Sequence, residues 1–178
     1  EYRKLNFCDS NFDPVNVRDC SVILEKGDSL IIKGENGRGK STLAKVMMGL
    51  YENVPGERLI DGNKLHKEYL HELTSHFAWI SPNQTIFSGT FIDNITMFSL
   101  NVNLDLLKAA IEKSKLDIEL NKFSSGLSTV ISNMGSSLSL GQRQKIFLAR
   151  AFYSNKKIFI FDEATSNLDS ATKKHISE

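Results

Sequence analysis

Cysteine is scarce in this sequence. Cys8 and Cys20 are the only two in 178 residues, and they make no CxxC pair. A surplus of charge of one sign is also missing. Lys and Arg number 22 against 21 Asp and Glu, for a net charge of +1. That leaves no electrostatic footprint for a nucleic-acid partner and no polybasic patch for a membrane surface. His66, His71, His76 and His175 show no metal-ligand spacing and read as solvated or structural histidines. No apolar run approaches the length of a transmembrane helix, and no signal-peptide pattern opens the sequence. Internal repeats and low-complexity linkers are absent too.

What is present is ordinary in bulk. The hydrophobic fraction is 40% and the charged fraction 24%, a globular composition. The length suits one domain, or one domain with a subdomain, and allows a real core. The sequence starts at Glu1-Tyr2 without methionine and stops at Glu178 inside a polar, helix-like stretch. It is therefore expected to be a piece cut from a longer protein.

The most informative segment is Gly34-Glu35-Asn36-Gly37-Arg38-Gly39-Lys40-Ser41-Thr42. It fits the P-loop pattern of Gly, four residues, then Gly-Lys-Ser. The apolar run Ser29-Leu30-Ile31-Ile32 before it predicts a buried strand, and Leu43 to Met48 after it predicts a helix. Strand, glycine loop and helix is the context the motif needs. Glycines let the backbone curl so that its N–H groups face an anion, and the helix N-terminus adds partial positive charge. Lys40 is placed to reach β- and γ-phosphates, and the Ser41 hydroxyl to bind Mg²⁺. A P-loop implies a cytosolic compartment, where both cysteines are reduced thiols.

Along the rest of the chain, Tyr2 to Phe7, Ser21 to Glu25 and Phe77 to Ile80 read as strands, with a turn at Lys26-Gly27-Asp28. Asp61-Gly62 is a second turn signal. From about Thr90 the pattern becomes helical. Leu106, Leu107, Ala110 and Ile111 form one apolar stripe, and Phe147, Leu148, Ala151 and Phe152 another. Ile158-Phe159-Ile160-Phe161 then returns to an unbroken apolar run, which predicts a fully buried parallel strand. Such a strand delivers Asp162 to the carboxyl edge of the sheet, where ligands bind. An acid there can hold Mg²⁺ through a water, and Glu163, one residue on, is suited to take a proton from an attacking water.

Leu138-Ser139-Leu140-Gly141-Gln142-Arg143-Gln144 opens the second helical stripe. Ser139 with Gln142 three residues later is a capping-box pattern. The segment reads either as a helix cap alone or as a second anion site built on open backbone N–H groups. The spacing does not choose between them.

The ordered set of P-loop, LSLGQRQ and FIFDEATSNLD resembles the nucleotide-binding domain of ATP-binding-cassette (ABC) transporters, and the resemblance spans essentially the whole chain. Ile86 to Ile95 is similar to the coupling region of exporter-type members. The resemblance implies an α/β fold: a P-loop NTPase core with a mainly parallel sheet, an N-terminal antiparallel β part and a helical signature subdomain. It implies one domain over 1–178, with core 1–89 and 155–178 and the helical part at about 90–154. It also implies ATP and Mg²⁺ as ligands. The partners it implies are a second nucleotide-binding domain, paired head to tail, and a transmembrane domain, and the expected location is the cytoplasmic face of the cell membrane. Ser139, Gly141 and Gln142 match the signature, Asp169 the dimer-spanning D-loop and Glu163 the catalytic base. The family stacks an aromatic on adenine upstream of the P-loop; Phe12 is the first candidate and Phe7 the second.

Three departures stand out. Leu140 replaces the first glycine of the usual LSGGQ, which leaves the backbone there less free. Pro82 occupies the place of the family's catalytic, metal-binding glutamine, with Gln84 two residues on as the candidate if the loop shifts. The switch histidine lies beyond the last residue, and His175 is not assigned that role. Two alternatives remain open at this level: a soluble cassette ATPase of DNA-repair or ribosome type, and a non-catalytic ATP-binding module.

Overall fold

The computed structural model describes residues 1–8, 16–81 and 84–162. The chain divides into two compact units, Glu1–His76 and a second that begins at Phe77. Among the described residues no helix is long and apolar enough to cross a membrane.

The first unit is built on an antiparallel sheet. Strands β1 (Tyr2–Cys8), β2 (Asn16–Val22), β3 (Glu57–Ile60) and β4 (Asn63–Lys64) lie in the order β2-β1-β3-β4. β3 and β4 form a two-residue hairpin in which Leu59 faces Lys64 and Ile60 faces Asn63. Its turn is Asp61-Gly62, with φ of 49° and 78°. Positive φ at both central positions is the geometry that matches strand twist, and Asp-Gly is a pair that adopts it readily. Glu25 to Asp28 also closes as expected, with the Asp28 carboxylate accepting from the Glu25 N–H at 2.9 Å.

Helix α1 (Lys40–Met47) ends on a network of donors from three other elements. A helix leaves its last carbonyls unpaired. Here the Gly49 and Leu50 N–H groups bond back to Val46 and Lys45 oxygens at 3.1 Å each, closing a Schellman turn. Gly49 sits at φ 84°, and a Cβ there would lie 3.2 Å from the Leu70 carbonyl oxygen. The remaining carbonyl valence is met from outside. Tyr2 Oη donates to Met47 O at 2.9 Å, Arg58 Nη2 to Val46 O at 3.2 Å, and Thr74 Oγ1 to Met48 O at 2.9 Å. Thr74 lies on α2 (Leu70–Ser75). Burial lowers the pKa of the Arg58 guanidinium. Around this helix end Leu5, Val46 and Val54 form a small core with Tyr2, Cys20 and Tyr51 against it.

The second unit carries the larger core. β5 (Phe77–Ile80) and β8 (Ile158–Phe161) pair in parallel, residue for residue from Phe77–Ile158 to Ile80–Phe161. The short strands β6 (Gly89–Thr90) and β7 (Val130–Ile131) pair antiparallel. Helices α3 (Phe91–Thr96), α4 (Leu104–Lys113), α5 (Asp117–Leu120) and α6 (Leu140–Tyr153) fill the region where the sequence turns helical. α6 is the centre of this unit: Gln144 through Ala149 are all buried. Its residues pack with Phe91 and Ile95 of α3, Leu107 and Ile111 of α4, and Ala78 and Ile80 of β5. The stripes expected on α4 and α6 are therefore the packed faces, with Leu106 and Phe152 only partly covered.

Three strand expectations need correction. Ser29 to Ile32 is not a strand among the described residues, and Ile31 is 75% exposed. A strand exists only where a neighbour takes its N–H and C=O groups, and an apolar run records the tendency without supplying the neighbour. The Ser21–Glu25 strand lies earlier, at Asn16–Val22, because pairing with β1 sets its limits; Ile23 and Leu24 are exposed. β8 has the expected limits but is not fully buried. β5 is its one partner among the described residues, and Ile158 and Phe161 remain exposed.

Candidate functional site

The P-loop curls as the glycine pattern requires. Gly37 has φ 77° and Gly39 φ 84°, ψ 17°, both left-handed. A Cβ at Gly37 would meet nothing within 4 Å, so backbone conformation and not space demands glycine there. Gly39 is the N-cap of α1 and offers no side-chain cap. No N-cap side chain therefore covers the helix end that carries partial positive charge, which is an anion-binding arrangement. Lys40 Nζ folds over the same loop and donates to Gly34 O at 2.9 Å and Glu35 O at 2.8 Å. The Arg38 guanidinium pairs with the Glu35 carboxylate at 3.0 Å on the open surface. Gly34 to Arg38 are exposed, while Ser41 and Thr42 are half-buried. All these residues belong to the first unit.

In the second unit Asp162 and Gln84 each bond to a carbonyl of β5. The Asp162 N–H donates to Ile80 O at 2.9 Å, one step past the β5–β8 ladder, so Asp162 leaves the carboxyl end of the parallel pair. Gln84 follows β5 and turns its amide back, with Nε2 donating to the carbonyl oxygen of Trp79. Its Oε1 is buried without a hydrogen-bond partner among the described residues. The Gln84 carbonyl oxygen and the Asp162 carboxylate are hard oxygen donors, the ligand type that Mg²⁺ takes. Pro82, at the position of the family's glutamine, lies outside the described residues, as do Glu163, Asp169, His175 and Phe12. Phe7 is placed by its backbone alone, opposite Val17.

The loop that carries Gln84 is tied to α3 and α6. Asn94, fully buried, accepts from the Phe87 N–H and donates to Phe87 O, both at 2.9 Å. Arg150 of α6 donates to Asn94 O at 3.0 Å and Thr85 O at 3.2 Å. Its guanidinium also lies over the rings of Phe87, at 5.7 Å, and Phe147, at 5.6 Å. Burial lowers the Arg150 pKa.

The signature segment forms the capping box that its spacing predicts. Ser139 is the N-cap of α6; its Oγ accepts from the Gln142 N–H at 3.2 Å, and Gln142 Oε1 accepts from the Ser139 N–H at 2.9 Å. Leu140 is the first helical residue, with no positive φ, so the replacement of glycine imposes no backbone strain. Its consequence is a side chain, 62% exposed, at the mouth of the helix. Sequence reasoning missed Glu119 of α5, which accepts from Gln142 Nε2 at 3.1 Å, Lys122 Nζ at 2.9 Å and Lys145 Nζ at 3.0 Å. Burial works to raise this carboxyl, but the three donors outweigh it and hold the pKa down at about 2. No pattern in the sequence marks Glu119, which precedes Gln142 by 23 residues.

Comparison with known proteins places these features in a family. Residues 17–166 match the family model described as ABC transporter. The chain is 38% identical over 162 residues to an ATP-dependent lipid A-core flippase of Aliivibrio fischeri, covering 90% of this chain and 28% of that protein. It is 32% identical over 173 residues to a fatty acid ABC transporter ATP-binding/permease protein of Mycobacterium tuberculosis, covering 97% of this chain and 27% of that one. The fold matches a bacterial Atm1-family ABC exporter solved with ATP bound, with a TM-score of 0.87 and 25% identity, over 99% of this chain and 31% of that chain. The chain thus spans less than a third of the length of these relatives. With its glycine loop and strand-end aspartate, and with most of its length matched to that family model, the chain belongs to the ABC transporter family.

Proposed function

We propose that this domain binds Mg·ATP and hydrolyses it to drive export across a membrane. The observation that carries the reading is the uncapped N-terminus of α1 behind two left-handed glycines, with Lys40 drawn over the loop. The loop from Gly34 through Glu35, Asn36, Gly37, Arg38 and Gly39 would wrap the phosphates with its backbone. Lys40 would meet the β- and γ-phosphates as a fixed cation, and Thr42 would add its N–H to the same face. Ser41, Asp162 and Gln84 would hold Mg²⁺; bound there, the ion supplies neutralisation of charge across the transferred phosphoryl group. Glu163 would orient a water and take its proton as the water oxygen bonds to the γ-phosphorus. The bond to the β-phosphate oxygen breaks and ADP and phosphate leave. Phe12 would stack on adenine, with Phe7 as the second candidate.

The site would be completed by a second copy of the domain, or a close relative of it, whose Ser139, Gly141 and Gln142 meet the γ-phosphate across the interface. A transmembrane domain would be the other partner, with this domain on the cytoplasmic face of the membrane. The names flippase and permease on relatives that match nearly the whole chain support export over a soluble repair or ribosomal ATPase.

The test is phosphate release by the full-length protein that carries this chain, measured in detergent and in proteoliposomes. Turnover is expected with Mg·ATP. It should rise more steeply than linearly with protein concentration wherever the paired domains come from separate chains. A protein that binds ATP tightly and never turns it over would reduce the reading to a non-catalytic module.

A further inference from the structure

Gln142 is held at both ends of its amide. Its Oε1 accepts from the Ser139 N–H at 2.9 Å, which is the capping box, and its Nε2 donates to Glu119 at 3.1 Å. The second bond comes from another helix, and a capping box does not require it. An exposed glutamine cap leaves its Nε2 to water and lets the amide swing. Here the partner is a carboxylate whose side chain is only 12% exposed, itself fixed by Lys145, 7% exposed, and by Lys122. Bonds from N–H to an ionised carboxylate are shorter and stronger than those to neutral acceptors. The two lysines also offset a negative charge that would otherwise oppose an anion at the N-terminus of α6. Lys145 is anchored on the second turn of the same helix, so the brace joins α5 to both the first and second turns of α6.

We propose that Glu119 is a positioning residue for the signature. It locks the Gln142 amide, and through it the Ser139 N–H, in the arrangement in which the start of α6 meets the nucleotide. The inference rests on the reading of Ser139 to Gln142 as the phosphate-contacting signature. It adds a residue on α5 that no motif contains. The pKa held near 2 keeps the carboxylate charged, so the brace persists at every working pH.

The experiment is a double-mutant cycle on ATP turnover in the full-length protein, with Glu119→Ala, Gln142→Ala and the pair, alongside thermal unfolding of each. Glu119→Ala should lower kcat about tenfold, the order expected for one hydrogen bond to a charged group, with KM for ATP changed less than about twofold. ATP is held in the ground state by the P-loop, which the variant leaves alone. The pair should be no slower than Gln142→Ala by itself, because Glu119 acts through that side chain. Glu119→Gln, which keeps the volume and an acceptor oxygen for Gln142 Nε2, should recover part of the loss. It also carries the test where Glu119→Ala does not fold. Multiplying effects in the pair, or a lower melting temperature with unchanged kcat, would overturn the positioning role. If Gln142→Ala slows turnover and Glu119→Ala does not, this inference alone fails. If Gln142→Ala leaves turnover unchanged, the signature reading fails with it.

Discussion

Lys40 Nζ donates to the carbonyl oxygen of Gly34 at 2.9 Å, so the last charged residue of the P-loop closes on its first glycine. With the bond to Glu35 O at 2.8 Å, this holds the ammonium against the loop. Two neutral carbonyls fix its position without neutralising it, which leaves its charge available to an anion. The lysine is therefore both a clasp of the loop and its free charge.

Replacing it separates those roles. Lys40→Ala should weaken Mg·ATP binding by about 1.5–3 kcal/mol, the worth of a charge-assisted contact. Titration of a fluorescent ATP analogue against both proteins reads this directly. Equal affinities would remove the P-loop assignment.

The proposed base gives a different signature. Glu163→Gln keeps the shape and removes the proton acceptor. ATP binding should be retained while hydrolysis slows by at least ~100-fold. Single-turnover phosphate release, set beside nucleotide binding, separates the two quantities. An unchanged turnover would leave Glu163 without a chemical part.

Gly49 tests the end of α1. A side chain there must take φ 84° and meet the Leu70 carbonyl oxygen at 3.2 Å. Gly49→Ala should cost about 1–2 kcal/mol from the left-handed backbone alone, with the close contact in addition. Urea unfolding midpoints give the comparison. A variant as stable as the parent would mean that the Schellman turn relaxes freely.

Glu119 predicts a pH dependence. Its carboxyl has a folded pKa of about 2 against an ordinary 4.5. A depressed carboxylate stabilises the fold fully above its unfolded pKa, and that stability is lost as pH falls through the folded value. Wild type should therefore be more stable than Glu119→Gln at pH 7. The gap should narrow from about pH 4.5 down to about pH 2. Melting temperatures of both proteins across that range test it, and a gap that does not change with pH would mean that the ion pairs hold no net stability.

What the sequence determined by itself is what local chemistry decides. The left-handed glycines of the P-loop, the Asp61-Gly62 hairpin, the Ser139–Gln142 box and the apolar runs of β5 and β8 each depend on residues a few positions apart. Their φ preferences, short hydrogen bonds and side-chain periods are properties of the segment alone. Tertiary structure decided the rest. Ser29 to Ile32 has strand composition and no strand, because pairing needs a second segment. Gln84 turns onto Trp79 because the loop after β5 is pinned by Asn94 and Arg150. Arg58 reaches the Val46 carbonyl across 12 residues, and Glu119 reaches Gln142 across 23. Such contacts bring a buried charge to a partner that only the folded chain supplies, and no spacing in the sequence can encode them.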